Sequence, residues 1–233
     1  MFEARSCASV QTLLLPASGI LNDTGFQFVQ VIRMFRQLHL FEEYQLRVRR
    51  LVGVERTQKL VSQSIVLITV CGNDFVNNYL LVSNLPRSGQ FLIPEYVLFL
   101  IPEYKKLFFS LFCRRRLYNL GARRVLVMGT GPLGCVPAEL ALRSRNRECS
   151  AELQQASELH NPQLRQMLNE LNRGYDADIF IYADCQIRAK FECCGQGPYD
   201  GLVYALRHRI RVPTEINIYS GILSIHLRRR VNS

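Results

Sequence analysis

Residues 65–70, Ile-Val-Leu-Ile-Thr-Val, run without a charge and end in Cys71-Gly72-Asn73-Asp74. A short, continuous, β-branched apolar run closed by Gly and Asn predicts a strand buried on both faces of a parallel sheet. Parallel neighbours need crossover connections of a dozen residues or more, usually helices, so this stretch commits the chain to an α/β fold. Residues 124–128 and 178–182 read as two further buried strands. Helical spacing fills the intervals. Phe28, Val29, Ile32, Phe35 and Leu38 predict a helix over residues 26–50, with Asp23 or Thr24 as its cap. Leu153, Leu159, Leu164, Met167, Leu168 and Leu171 predict a second over 150–172, ended by Gly174.

Between them, Phe91-Leu92-Ile93-Pro94-Glu95-Tyr96 recurs as Phe99-Leu100-Ile101-Pro102-Glu103-Tyr104. Two copies are too few for a solenoid. The pattern predicts one helix running to Gly121, kinked or restarted at Pro102 because proline lacks a donor and crowds the preceding turn. A polar loop through Asn84, Pro86 and Gly89 precedes it. Beyond Gly201 the periodicity fades. The expected architecture is a three-layer α/β sandwich with a mostly parallel sheet, in incomplete form. Its expected parts are a leader over residues 1–16, a folded domain over 17–201 and a basic tail over 202–233.

Open α/β sheets bind ligands at the carboxyl ends of their strands. Asn73 stands at such an end, as an uncharged amide donor suited to a developing oxyanion. The competing reading is an Asn that closes a turn through its own side chain. Gly72-Asn73-Asp74 after a strand resembles the third signature block of the GDSL esterase/lipase family, the SGNH hydrolases. Residues 17–25, 120–125 and 131–137 and Cys193-Cys194-Gly195 resemble further stretches of its plant branch, in family order. The resemblance implies a flavodoxin-like sandwich, hydrolysis of small-molecule or lipid carboxylic esters without a cofactor, and an extracellular location. It assigns Asn73 and the Gly19 amide as oxyanion donors. The Gly19 match is looser, and a turn glycine of positive φ is the alternative there.

The rest of that machinery is absent. The family's nucleophile belongs to a Gly-Asp-Ser block, and this sequence has none. Its base and orienting acid belong to an Asp-x-x-His block. The four histidines, His39, His160, His208 and His226, have no Asp three positions earlier. Ser18 and Ser110 have no histidine nearby in sequence, and the Cys71 thiol is expected to be buried at its strand end. The expected outcome is a family member with little or no activity. The alternatives are a ligand-binding or interaction protein on a hydrolase scaffold, and a truncated product that does not fold stably.

Composition limits other functions. The 233 residues carry a formal charge of +10. Half of that, six Arg against Glu215, falls within residues 202–230, with smaller clusters at Arg114–Arg116 and Arg123–Arg124. Such clusters read as solvated surface rather than a nucleic-acid site. No apolar run reaches the eighteen or so residues of a membrane span, and residues 10–16 make a poor signal peptide, interrupted by Gln11 and Thr12. Eight cysteines suit an oxidising compartment, and Cys135 and Cys149 flank a polar loop that a disulfide would close. No Cys-x-x-Cys or histidine spacing points to a metal. Gly129-Thr130-Gly131-Pro132-Leu133-Gly134 matches a dinucleotide fingerprint, but Pro132 and Pro137 argue against the helix it needs. Asn22-Asp23-Thr24 is a glycosylation sequon.

Overall fold

The computed structural model describes residues 11–12, 18–26, 31–80, 86–113, 116–135, 148–175, 177–184 and 222–226. The proposed polar loop at Asn84, the Cys193-Cys194-Gly195 stretch and His208 lie outside them.

Three parallel strands form the sheet's framework: β2 (Ile65–Thr69), β3 (Val125–Met128) and β4 (Phe180–Ala183), with Val66 opposite Val125 and Val125 opposite Phe180. All four β3 residues are buried, as are the middle three of β2, which is why both read as uninterrupted apolar runs. The sheet continues past β2 with β5 (Ile222–His226) and then β1 (Gln11–Thr12), both pairings antiparallel. The stretches read as leader and tail thus each contribute a strand to the same five-stranded sheet, in the order β1-β5-β2-β3-β4.

Helices flank the sheet in two groups. α1 (Met34–Val52) packs with α2 (Val54–Ser62), and α4 (Ile93–Phe108) packs with α6 (Ala151–Tyr175). Two short helices, α3 (Pro86–Gln90) and α5 (Arg116–Asn119), complete the α/β sandwich. No helix among the described residues is long and apolar enough to cross a membrane.

Several local expectations give way to tertiary contacts. α1 starts at Met34, not Phe26, because Asp23 and Thr24 are held elsewhere and cap nothing. Gly53, at φ 85°, separates α1 from α2. Immediately after β2 the chain forms a π-helical turn, Asp74–Leu80. α4 continues through Pro102 to Phe108, its start fixed by Glu95, whose carboxylate accepts the Leu92 N–H at 2.9 Å. The path to Gly121 is then broken into a second π-turn, Phe109–Cys113, and α5. α6 tolerates Pro162 and runs past Gly174 to Tyr175. Burial of Tyr96, Leu100, Tyr104, Leu153, Leu164 and Leu168 offsets the cost of these prolines.

Cys135 and Cys149 form a disulfide across 14 residues. Closing a loop of this length contributes about 3 kcal/mol in the chain-entropy picture. Reduction, or Cys135→Ser with Cys149→Ser, is expected to lower unfolding stability by that order in urea titrations. An unchanged midpoint would show that the loop is already ordered in the reduced unfolded chain.

Candidate active site

Asn73 follows β2 at its carboxyl end and is half-buried. Its amide is held at both atoms. Oδ1 accepts from Asn77 Nδ2 at 3.0 Å, and Nδ2 donates to the Ser18 carbonyl at 2.9 Å. Asn77 lies four residues on, one turn along the π-helical segment, so the turn places the second amide over the first. This orients the Asn73 donor toward the 18–26 segment.

That segment is fastened by the next residue. Asp74 is fully buried. Its carboxylate accepts the Ile20 N–H at 2.8 Å, the Leu21 N–H at 3.1 Å and the Thr24 hydroxyl at 2.5 Å. Burial pushes the Asp74 carboxyl up to about 6, against the lowering effect of those same hydrogen bonds. Gly19 precedes the two fastened amides, and its own N–H has no partner among the described residues. A Cβ on Gly19 would stand 2.5 Å from both Asp74 carboxylate oxygens and 2.6 Å from Thr24 Cγ2. Gly19 is not among the positive-φ residues. Close approach of the carboxylate, not an unusual turn, therefore demands glycine there.

The structure thus brings the Gly19 loop against Asn73 and Asp74, across more than fifty residues of sequence. Among the described residues, no histidine is hydrogen-bonded to Asn73 or Asp74. His39 is exposed on α1 beside Glu42 and Glu43. His226 sits opposite Ile65, at the far end of β2 from Asn73. His160 is buried on α6, its Nε2 3.2 Å from Cys71 Sγ.

The Cys71–His160 pair has the chemistry of a core contact rather than a nucleophile and base. Burial, then the Asp74 charge, pushes the Cys71 thiol up. Burial lowers His160 to about 4. Both partners are neutral at pH 7, whereas a reactive cysteine needs the opposite shift. Phe75 meets the His160 ring edge-on at 5.8 Å, and Tyr104 stacks on it at 6.3 Å. Cys71 also has φ 91°, a conformation that side chains rarely adopt. Ser18, buried, accepts from Gln37 Nε2 at 3.2 Å.

The loop after β3 is occupied by side chains from α6. Asn161 Oδ1 accepts from the Thr130 N–H at 2.9 Å, Asn161 Nδ2 donates to the Thr130 carbonyl at 2.9 Å, and the Ser157 hydroxyl donates to the Gly131 carbonyl at 2.9 Å. A single 3-10 turn, Leu133–Cys135, follows, with Gly134 against the Ser150 backbone. Among the described residues, β3 leads into this 3-10 turn rather than into the helix N-terminus that a dinucleotide needs. A cavity of about 530 Å³, lined by Asn169, Asn172, Arg173, Ala177 and Asp178, lies at the start of β4, away from Asn73. No group of His, Cys, Asp or Glu among the described residues is arranged to hold a metal.

The roles of Asp74, Asn77 and His160 were not legible in the sequence. The spacing of Asn73 and Asn77 is a signal only once the segment is known to be a helical turn.

Known proteins are similar to this chain. The family model GDSL-like Lipase/Acylhydrolase matches residues 6–206. The Arabidopsis thaliana protein GDSL esterase/lipase At5g18430 is 52% identical over 200 residues, covering 79% of this chain and 54% of the relative. GDSL esterase/lipase LTL1 of the same plant is 50% identical over 199 residues, covering 79% and 53%. GDSL esterase/lipase At4g28780 is 48% identical over 199 residues, covering 78% and 52%. The chain therefore spans about half the length of the curated relatives it matches. No solved structure matches it. With a family model across most of its length and relatives at half identity, the chain belongs to the GDSL-like lipase/acylhydrolase family.

Proposed function

We propose that this chain presents the oxyanion-binding part of an ester-hydrolase site, formed by the Asn73 amide and the Gly19 N–H, and hydrolyses carboxylic esters at a negligible rate. The observation that carries this reading is the fixed Asn73 amide, held by Asn77 on one side and lying against the Gly19 loop on the other. One Nδ2 hydrogen is given to Ser18, and the second is left for a substrate oxygen. Fixed donors of this kind stabilise a tetrahedral oxyanion without reorganising. The ester class follows from family membership, and small-molecule or lipid esters are the proposed ligands.

Negligible turnover follows from chemistry. The sequence contains neither Gly-Asp-Ser nor Asp-x-x-His, and the buried Cys71–His160 pair is neutral. Oxyanion donors alone leave about 10³–10⁴-fold over water in serine proteases, far below a working esterase. Short-chain aryl esters are expected to show no release of phenol beyond that range. Turnover of about 1–10³ per second, abolished by a serine-directed inhibitor, would reveal a nucleophile and overturn the reading. If the donors bind without turnover, Asn73→Ala should weaken retention of a phosphonate ester roughly fivefold, the worth of about one hydrogen bond.

A further inference from the structure

Asn22-Asp23-Thr24 is the single Asn-x-Ser/Thr sequence in the 233 residues. The fold treats its residues in opposite ways. Asn22 is exposed on the turn after Gly19 and has no hydrogen-bond partner among the described residues. Thr24 is fully buried. Its hydroxyl donates to Asp74 at 2.5 Å and accepts from Asn78 Nδ2 at 3.1 Å. Asp23 is pinned by Arg87 at 2.5 Å and by Asn78 at 3.3 Å. The turn is closed, Thr24 N–H to Leu21 carbonyl at 3.2 Å. A Cys135–Cys149 disulfide persists in oxidising compartments, and glycan transfer takes place in such a compartment.

We propose that Asn22 is an N-glycosylation site that accepts its glycan only before the 20–24 turn closes on Asp74. The donor is an oligosaccharide carried on a lipid pyrophosphate. Asn22 Nδ2 forms the new bond to the anomeric carbon, the bond to the pyrophosphate oxygen breaks, the lipid pyrophosphate leaves, and the amide proton passes to a base of the transferase. Recognition needs the Thr24 hydroxyl, and the native fold gives that hydroxyl to Asp74 and Asn78. Asp74 follows Thr24 by 50 residues. The acceptor is therefore open from its emergence until residues 74–78 arrive and pack, and then shut. Once attached, the glycan fits the fold, because Asn22 itself points into solvent.

The test directs the full chain into the secretory pathway of a glycosylating host and analyses total cellular and secreted material by intact mass, with and without peptide-N-glycosidase. The expected result is partial occupancy that disappears in Asn22→Gln and rises in Asp74→Asn, which keeps the sequon but loosens the turn. In the second arm, folded chain from a non-glycosylating host is offered to microsomal transferase beside a synthetic peptide of residues 18–26. The peptide should be modified and the folded chain should not. A chain and peptide that both stay unmodified would remove Asn22 as an acceptor. Folded chain modified as readily as peptide would remove the control by Thr24 burial. This inference is independent of whether the chain hydrolyses esters.

Discussion

Asp74→Ala is expected to destabilise the chain by at least about 3 kcal/mol, because it strands three donors at once. The Ile20 and Leu21 amides and the Thr24 hydroxyl all donate to this one fully buried carboxylate. Each buried donor left without an acceptor costs about 1–3 kcal/mol. Relief of the buried charge offsets part of the loss above pH 6 and none of it below, where the native carboxyl is protonated. Asp74→Asn keeps one acceptor and should cost less. Gly19→Ala attacks the same contact from the other side, since its Cβ would stand 2.5 Å from the carboxylate oxygens. Either the loop moves off Asp74 or the carboxylate turns away. Urea unfolding of the three variants tests this. An Asp74→Ala midpoint matching wild type would show that solvent satisfies the 20–24 amides.

The second large effect is a pair of opposed pH dependences that conceal each other. Asp74 has its native pKa raised from 3.8 to about 6. The native state binds that proton more tightly than the unfolded state does. Its contribution is fully present below about pH 4 and lost as pH rises through 6. His160 has its native pKa lowered from 6.5 to about 4. The unfolded state binds that proton more tightly, so its contribution is present above 6.5 and lost as pH falls toward 4. Each shift corresponds to about 3 kcal/mol. Between pH 4 and 6 the native state holds a proton on Asp74 where the unfolded state holds one on the histidine, and the two contributions nearly cancel. Relative to wild type, His160→Gln should gain about 3 kcal/mol on acidification from pH 7 to 4, and Asp74→Asn should lose a similar amount. Parallel stability curves for the three proteins would refute the opposition.

Local sequence fixed the elements whose signal is local. The apolar runs of β2 and β3 are legible because a strand buried on both faces leaves no polar alternation; β4, read as a third buried strand, is instead an edge strand with Phe180 buried and Ile181 exposed. The amphipathic stripe of α6 is legible from its spacing, and the Cys135–Cys149 pair from the polar loop between them. The position of Asn73 at a strand's carboxyl end follows from the same run.

Pairings across long separations were decided only by the tertiary structure. Asp74 and Thr24 are 50 residues apart, and Cys71 and His160 are 89 apart. No window of sequence joins them. Once Asp74 takes the Thr24 hydroxyl, Thr24 cannot cap a helix, so α1 begins ten residues later. Pro102 and Pro162 remain inside helices because the packed aromatic and aliphatic faces outweigh the local penalty. Ile222–His226 carries no distinguishing period, yet pairs with β2, because an open sheet edge accepts a short apolar strand whatever its position in the chain. Gly19 gives the clearest case. A glycine in sequence shows only that a side chain is missing, and the structure supplies the reason, a carboxylate standing where that side chain would be.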